Sequence, residues 1–164
     1  MRGRLATLYQ RHADSTARLA YLLTGDRTLA EDLMQEAFVR SAKRLAHLRD
    51  PDSFDAYLRR AVVNLARSHF RRRRLEREYL LRHAAGGDST TEPEVDPYPS
   101  LKGALLTLPP RQREAVVLRF YEDLSERQTA DVMRVRPGTV KALVAQAMAS
   151  LRDTVTREGG RSDD

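Results

Sequence analysis

The sequence predicts an all-α protein of two small helical domains, which a flexible acidic linker joins. Three observations indicate this fold class. Apolar residues recur every three or four positions along most of the chain, as they do on the buried face of an α-helix. Residues 84–100 interrupt this pattern with glycine, proline, threonine and acidic residues. Near the end of the chain, two short helical stretches succeed one another across a tight turn, which is the spacing of a helix-turn-helix.

The first domain, residues 1–83, begins with two predicted helices. One covers residues 4–23 and is followed by Gly25, a residue type that is common just after a helix C-terminus. The other covers about residues 27–47, with Asp26 as its N-cap. Its buried stripe is predicted to consist of Leu29, Leu33, Met34, Ala37 and Leu45. Its outer face carries a compact group of mostly acidic side chains, the acidic patch: Glu31, Asp32, Gln35, Glu36 and Arg40.

A third helix is predicted over residues 52–82, because Pro51 disfavours helix in the residue before it and Asp52 or Ser53 can cap a new helix after it. Its apolar side is formed by Phe54, Leu58, Ala61, Val62 and Leu65. Its opposite side carries a row that we call the basic stripe: Arg60, Asn64, Arg67 and Arg71. No acid interrupts this row, and guanidinium groups suit phosphate because they can donate two parallel hydrogen bonds. The stripe therefore indicates a nucleic-acid-binding surface, with a solvated charged face as the alternative.

The second domain, residues 101–157, is predicted to contain four helices, and a polar tail follows over residues 158–164. The helices cover about residues 101–107, 111–121, 126–133 and 137–157. Ser125 is placed to cap the third of them, and Pro137 occupies a favourable first position of the fourth. The third and fourth helices form the predicted helix-turn-helix.

Positive charge is concentrated in the first domain. Residues 1–83 hold 18 basic and 10 acidic residues, residues 84–100 hold four acids and no base, and residues 101–164 hold 11 bases and nine acids. The sequence pI is about 10.0. Such a distribution favours an anionic polymer as the partner of the first domain.

Several other kinds of chemistry find no support in the sequence. The chain contains no cysteine, which excludes disulfides and thiolate metal sites. Its four histidines are scattered without metal-ligand spacing, and neither a phosphate-binding glycine loop nor a nucleophile motif is present. We therefore predict no catalytic residue, no metal and no cofactor. Without a long apolar run or a signal peptide, the sequence also predicts no membrane insertion and a cytoplasmic location.

Four sequence segments together resemble the extracytoplasmic-function sigma factors of bacterial RNA polymerase. They read AEDLMQEAFVR at 30–40, SFDAYLRRAVVNLARSHFRRRR at 53–74, LPPRQREAVVLRFYEDLS at 108–125 and PGTVK at 137–141. The resemblance covers about residues 5–80 and 101–155. It implies a non-enzymatic subunit that binds core polymerase, recognises promoter DNA and is controlled by an anti-sigma factor.

The resemblance also implies a role for particular side chains. It places the contact with a coiled coil of the polymerase clamp at Asp32, Gln35, Glu36, Phe38 and Arg40. In the polar rim of that contact, Phe38 is expected to be an apolar anchor. Contacts with the −10 element are placed at Arg49, Asp50, Ser53, Phe54, Arg60, Asn64, Arg67 and Arg71. Contacts with the −35 element are placed at Arg136, Thr139, Lys141, Ala142, Ala145 and Gln146.

The helix-turn-helix departs from the pattern of the family. Arg134 stands where glycine is usual and is expected to adopt positive φ, while Arg136 replaces a capping serine and cannot accept the amide hydrogen bond. The outward face of the last helix is expected to show Ala142, Ala145 and Gln146, without an arginine to read guanine. We therefore expect promoter choice to depend mainly on the −10 contacts, with a weak or unusual −35 preference. Alternatively, the alanine face packs on a protein, either an anti-sigma factor or the first domain.

The sequence is thus interpreted as a sigma factor that places its first domain at the −10 element and helps to hold the strands apart. Two other functions remain open at this point. One is a free-standing helix-turn-helix regulator of duplex DNA, which would normally dimerise, although no dimerisation heptads are evident. The other is an adaptor that uses its helical faces only to bind proteins.

Overall fold

The computed structural model describes residues 2–50, 52–83 and 101–159, with the side chains of the last two residues excepted. Every regular element in these ranges is a helix, which confirms the all-α class for this part of the chain. The helices are α1 (Arg2–Thr24), α2 (Arg27–Leu45), α3 (Asp52–His83), α4 (Leu101–Leu106), α5 (Pro110–Val116), α6 (Glu126–Met133) and α7 (Pro137–Gly159). The predicted linker, residues 84–100, and residues 160–164 of the predicted tail lie outside the described residues.

The predicted start of α2 is confirmed in detail. Gly25 has φ +72°, a left-handed conformation that favours glycine after a helix. Asp26 is the N-cap, and its Oδ1 accepts a hydrogen bond from the backbone N–H of Leu29 at 3.0 Å. Gly25 and Asp26 therefore specify the turn between α1 and α2.

The first domain is a three-helix unit whose core lies between α1, α2 and α3. Leu19 of α1 and Phe54, Leu58 and Val62 of α3 are almost completely buried there. The apolar side predicted for α3 is confirmed, with Ala61 only half-buried. The other side of α3 is consequently turned away from the core of its own domain.

In the second domain, α5 continues without a break into a π-helical segment, Val117–Tyr121. The wider turn ends with the N–H of Glu122 donating to the carbonyl of Val117 at 3.1 Å. After it, Ser125 and Gln128 form a capping box at the start of α6, with hydrogen bonds of 2.9 and 3.1 Å. Arg134 follows α6 with φ +57°, which confirms the predicted positive φ.

The two domains are in direct contact, through residues that the sequence did not predict. The side chain of Leu106 lies so close to Gly25 that a Cβ atom there would be 2.6 Å from two of its methyl carbons. Nη1 of Arg113 donates to the carbonyl of Leu23 at 2.8 Å, and Nε of Arg59 donates to Glu122 at 2.9 Å. These contacts place the start of the second domain beside α1 and α3.

Within the described ranges, no helix is both long enough and apolar enough to span a membrane.

Candidate nucleic-acid and polymerase interfaces

The acidic patch on α2 is accessible to a partner. Asp32, Gln35, Glu36 and Arg40 are all exposed, and Glu36 accepts a hydrogen bond from Nη2 of Arg40 at 2.5 Å, one helical turn away. Glu31 is exposed beside them. The described patch can therefore present carboxylates to a basic protein surface.

Phe38 does not belong to this exposed surface, so the prediction of an apolar anchor was wrong. Its ring is only 5% exposed and lies with centroids 4.9 Å from Tyr9 and 5.9 Å from Phe54. The physical reason is the helical repeat, because residue 38 follows the buried Met34 by four positions and shares its stripe. Val39, 58% exposed, is the large apolar side chain that the same turn does present to solvent.

Phe54 is also unavailable for the predicted contact with DNA. It is fully buried at the start of α3, although Arg49 and Asp50 in the preceding connection are exposed and Ser53 is half-buried. The apolar periodicity of α3 already placed Phe54 on its buried side, and that periodicity decides the position of the ring. Of the side chains in this connection, the polar ones remain accessible.

Two members of the basic stripe, Arg60 and Asn64, line a groove of about 410 Å³ at the surface. The groove is lined by Arg40, Ser41, Arg44, Tyr57, Arg60, Ala61, Asn64 and Arg134. Arg60 and Arg71 are exposed and Asn64 is half-buried. The guanidinium of Arg44 lies 5.7 Å from the ring centroid of Tyr57, a cation–π contact. Cationic groups beside an aromatic ring form a surface that suits the phosphates and bases of a nucleic acid strand.

Arg67, in contrast, is occupied by an acid of the second domain. Its Nη2 donates a short hydrogen bond to Glu114 on α5, and Nη1 of Arg111 lies 3.4 Å from the same carboxylate. We expected that no acid neutralises the basic stripe. This holds for the acids of α3 itself, but it is wrong for the folded protein, because Glu114 of α5 pairs with Arg67. Burial raises the pKa of Glu114, and the two arginines oppose that shift without cancelling it.

Two further arginines that the sequence interpretation missed join helices of different domains. Arg59 is 15% exposed and bonds both Asp55, at 2.7 Å, and Glu122, at 2.9 Å. Arg113 is 5% exposed and donates to the backbone carbonyls of Leu23, Leu105, Leu106 and Leu108. Desolvation lowers the pKa of Arg113. Arg113 precedes the buried Val117 by four positions and therefore lies on the same side of the helix, which was the available signal for its burial.

The outward face predicted for α7 is confirmed as exposed. Val140 and Ala147 are completely buried, while the positions assigned to the −35 element, Arg136, Thr139, Lys141, Ala142, Ala145 and Gln146, are all exposed. Nε2 of Gln112 on α5 lies 3.4 Å from Oε1 of Gln146. The exposed face of the helix therefore offers small apolar side chains and one amide, next to the polar and basic side chains of its first turns.

Two family models match the chain. Sigma-70 region 2 matches residues 8–76, and Sigma-70 region 4 matches residues 100–151. These ranges correspond to the helices of the first and of the second domain.

Curated relatives agree with this match, and two solved structures share the fold. The chain is 38% identical to the RNA polymerase sigma-E factor of Streptomyces avermitilis, over 85% of this chain and 78% of that protein. It is 34% identical to the ECF RNA polymerase sigma factor SigE of Mycolicibacterium smegmatis, over 94% of this chain and 63% of that protein.

Among solved structures, sigma factor RpoE of Bartonella quintana, in complex with the anti-sigma factor NepR, has a TM-score of 0.72 at 20% identity, over 92% of this chain and 96% of that one. CnrH, in complex with the cytosolic domain of CnrY, has a TM-score of 0.68 at 25% identity, over 96% of this chain and 90% of that one.

Proposed function

The chain belongs to the extracytoplasmic-function group of sigma-70-type sigma factors, and from this premise we propose which of its surfaces serve polymerase and which serve the promoter. A sigma factor binds core RNA polymerase and directs initiation to specific promoters. We assign both the polymerase contact and the −10 contact to the first domain, residues 1–83. The second domain, residues 101–157, supplies the helix-turn-helix, and residues 84–100 link the two. The chain itself catalyses nothing in this proposal.

The acidic patch is the proposed docking surface for core polymerase. Asp32, Gln35, Glu36 and Arg40 are exposed on consecutive turns of α2, and carboxylates suit a basic coiled coil on the enzyme. Val39 replaces the buried Phe38 as the apolar side chain available to such a contact. The rim of charges favours fast and selective association.

The groove along the basic stripe is the proposed −10 surface, and it is the observation that carries the proposal. Arg60, Asn64 and Arg71 lie along α3, and Arg49, Asp50 and Ser53 lie at the turn before it. An unpaired strand offers both phosphates and base edges, so arginines beside Tyr57 can hold it out of the duplex. Arg67 joins this set only when Glu114 is displaced from it.

We propose that α7 contributes only a weak −35 preference. Ala142 and Ala145 can touch thymine methyl groups, Gln146 can read adenine, and Arg136, Thr139 and Lys141 can hold phosphates. None of the base-facing side chains is an arginine, the commonest reader of guanine. An anti-sigma factor is a further proposed partner, as in the complex of RpoE with the anti-sigma factor NepR. Since core polymerase is cytoplasmic, a cytoplasmic location is part of the proposal.

Reconstitution with core polymerase tests the docking surface. We expect D32K/E36K to abolish binding to core polymerase while helicity by circular dichroism is retained. The matched control D14K/D153K reverses two exposed acids on α1 and α7 and should bind core polymerase normally. Undiminished binding by folded D32K/E36K would contradict the assignment of the patch.

Promoter complexes test the −10 surface. We expect R60A/R71A to keep core binding and to weaken promoter complexes, with the slope of log affinity against log salt falling by roughly one per lost phosphate contact. The control R11A/R18A removes two exposed arginines of α1 and should leave the slope unchanged. Equal slopes for R60A/R71A and the unaltered protein would identify the stripe as a solvated face.

A further inference from the structure

Six arginines line an open cleft at the place where the first domain meets the second. The cleft encloses about 530 Å³, which falls within the usual range for small-molecule sites. It is lined from α3 by Arg67, Phe70, Arg71, Arg73, Arg74 and Arg77, and from the second domain by Pro110 and Arg111. Because both domains supply side chains, the complete cleft exists only while the domains are in contact.

The positive charge of this cleft is poorly neutralised by the described part of the protein. Glu114 pairs with Arg67 and Arg111, and Glu78 lies 3.9 Å from Arg74 in an exposed pair, which contributes little. Two acids against six arginines leave a surplus of about four positive charges. Nε of Arg67 is in addition buried without a hydrogen-bond partner. The described arrangement therefore holds like charges close together and leaves a donor unused.

We propose that this cleft binds a compact oligophosphate anion, such as the triphosphate of a nucleotide, and that the bound anion holds the two domains together. Guanidinium groups recognise phosphate oxygens through paired hydrogen bonds, and several of them converge here. An anion between α3 and Arg111 relieves the repulsion that opposes their approach. Phe70 in the lining offers an aromatic surface on which a nucleobase can stack.

A nucleic acid strand is the other phosphate-bearing ligand that an arginine row can bind, and the two ligands differ in the residues they require. A strand that runs along α3 needs the arginines of that helix but not Arg111. A compact anion inside the cleft lies between α3 and α5 and needs Arg111 as well. The contribution of Arg111 therefore separates a two-domain site from a one-domain surface.

Binding of the anion has a consequence for the promoter surface. A ligand that binds only while the two domains are in contact shifts the population of the chain toward that arrangement. In that arrangement Arg67 stays paired with Glu114 and is withheld from the −10 element. This consequence rests on the proposed function, whereas the binding of the anion does not.

Calorimetric titration of the full chain with inorganic tripolyphosphate and with ATP tests the site directly. The titration is run without divalent cations at about 0.15 M salt, where charges further apart than roughly 8 Å are screened. We expect saturable one-to-one binding that weakens at least tenfold in R74A/R77A and also in R111A. The control R11A/R18A, which removes two exposed arginines of α1, should bind as the unaltered chain does. If ATP binds more tightly than tripolyphosphate, base stacking contributes to the affinity. If the two bind equally, the phosphates alone are recognised.

A distance measurement tests whether the anion holds the domains together. The chain contains no cysteine, so K43C and S150C, at exposed positions of α2 and α7, accept one pair of spin labels. We expect saturating tripolyphosphate to narrow the distance distribution in the otherwise unaltered chain and not in R111A.

Three results would overturn the inference: no saturable binding, full affinity in R111A, or an unchanged distance distribution at saturation. Run-off transcription by the holoenzyme is scored separately. Its failure would contradict the proposed function and would leave the binding result standing.

Discussion

Replacement of Arg113 by methionine should destabilise the protein strongly. Three of its four hydrogen bonds to backbone carbonyls, those to Leu23, Leu105 and Leu108, are between 2.8 and 2.9 Å long. R113M keeps much of the apolar stem but leaves the carbonyls of Leu23 and Leu108 without a donor, whereas the carbonyl of Leu105 still accepts from the N–H of Leu108 at 3.1 Å. Each unsatisfied group costs about 1–3 kcal/mol. Burial of the charged guanidinium is itself unfavourable, as the lowered pKa of Arg113 shows. R113M removes this desolvation cost, and the gain offsets part of the loss of hydrogen bonds. We therefore take the lower bound for each of the two unsatisfied carbonyls and expect a decrease in the free energy of unfolding of about 2 kcal/mol.

Urea unfolding followed by circular dichroism measures this decrease. R113K retains a charge and three donors without the planar fork, so we expect it to lose less than R113M. R127M, which removes an exposed arginine of α6, is the control and should change the free energy of unfolding by less than about 0.5 kcal/mol. A loss below about 1 kcal/mol in R113M, at an unchanged dependence on urea, would refute the view that this buried guanidinium organises the start of the second domain.

Three smaller perturbations have defined outcomes. Burial raises the pKa of Glu114, so its contribution to stability is present below the ordinary value of 4.5 and is lost as the pH rises through the raised pKa. The free energy of unfolding in urea at about pH 4 and about pH 7 therefore differs partly because of Glu114, and E114Q should abolish that part of the difference. G25A adds a Cβ atom that would collide with Leu106, at a residue with a left-handed backbone, and should lower the free energy of unfolding by at least about 1 kcal/mol. In thermal unfolding, the double variant G25A/L106A should lose less stability than the sum of the two single variants. S125A removes the capping serine of α6 and should lower the free energy of unfolding, measured by thermal unfolding, by about 1 kcal/mol. S150A, on the exposed face of α7, is its control.

Much of the local structure could be predicted because single residues specify it. Asp26 and Ser125 cap the helices that begin after them, and Gly25 and Arg134 adopt the positive φ expected of their positions. The buried and exposed sides of α7 result directly from helical periodicity, since both are set within the helix. Local chemistry of this kind does not depend on how the domains meet.

One error concerns a contact between distant parts of the chain, and the others are local. Arg67 and Glu114 are 47 residues apart, and no periodicity within either helix indicates that they pair. The π-helical turn after α5 was not predicted either, because the sequence at Val117–Tyr121 reads as a simple continuation of the helix. Phe38 and Phe54 were assigned to binding surfaces from the resemblance to a family, whereas their own spacing to Met34 and Leu58 indicated burial. Where the two kinds of inference disagreed, the hydrophobic pattern was correct.

The most direct test of the proposed promoter recognition compares two altered promoters. After the start sites induced by overproduction of the chain have been mapped, the reconstituted holoenzyme transcribes three templates: the native promoter, one with a scrambled −10 element and one with a scrambled −35 element. We expect the scrambled −10 element to abolish run-off transcription, and the scrambled −35 element to reduce it by less than about tenfold, or 1.4 kcal/mol. A loss above tenfold at −35 together with a tolerated −10 change would contradict the proposal that the groove along α3, and not the alanine face of α7, selects the promoter.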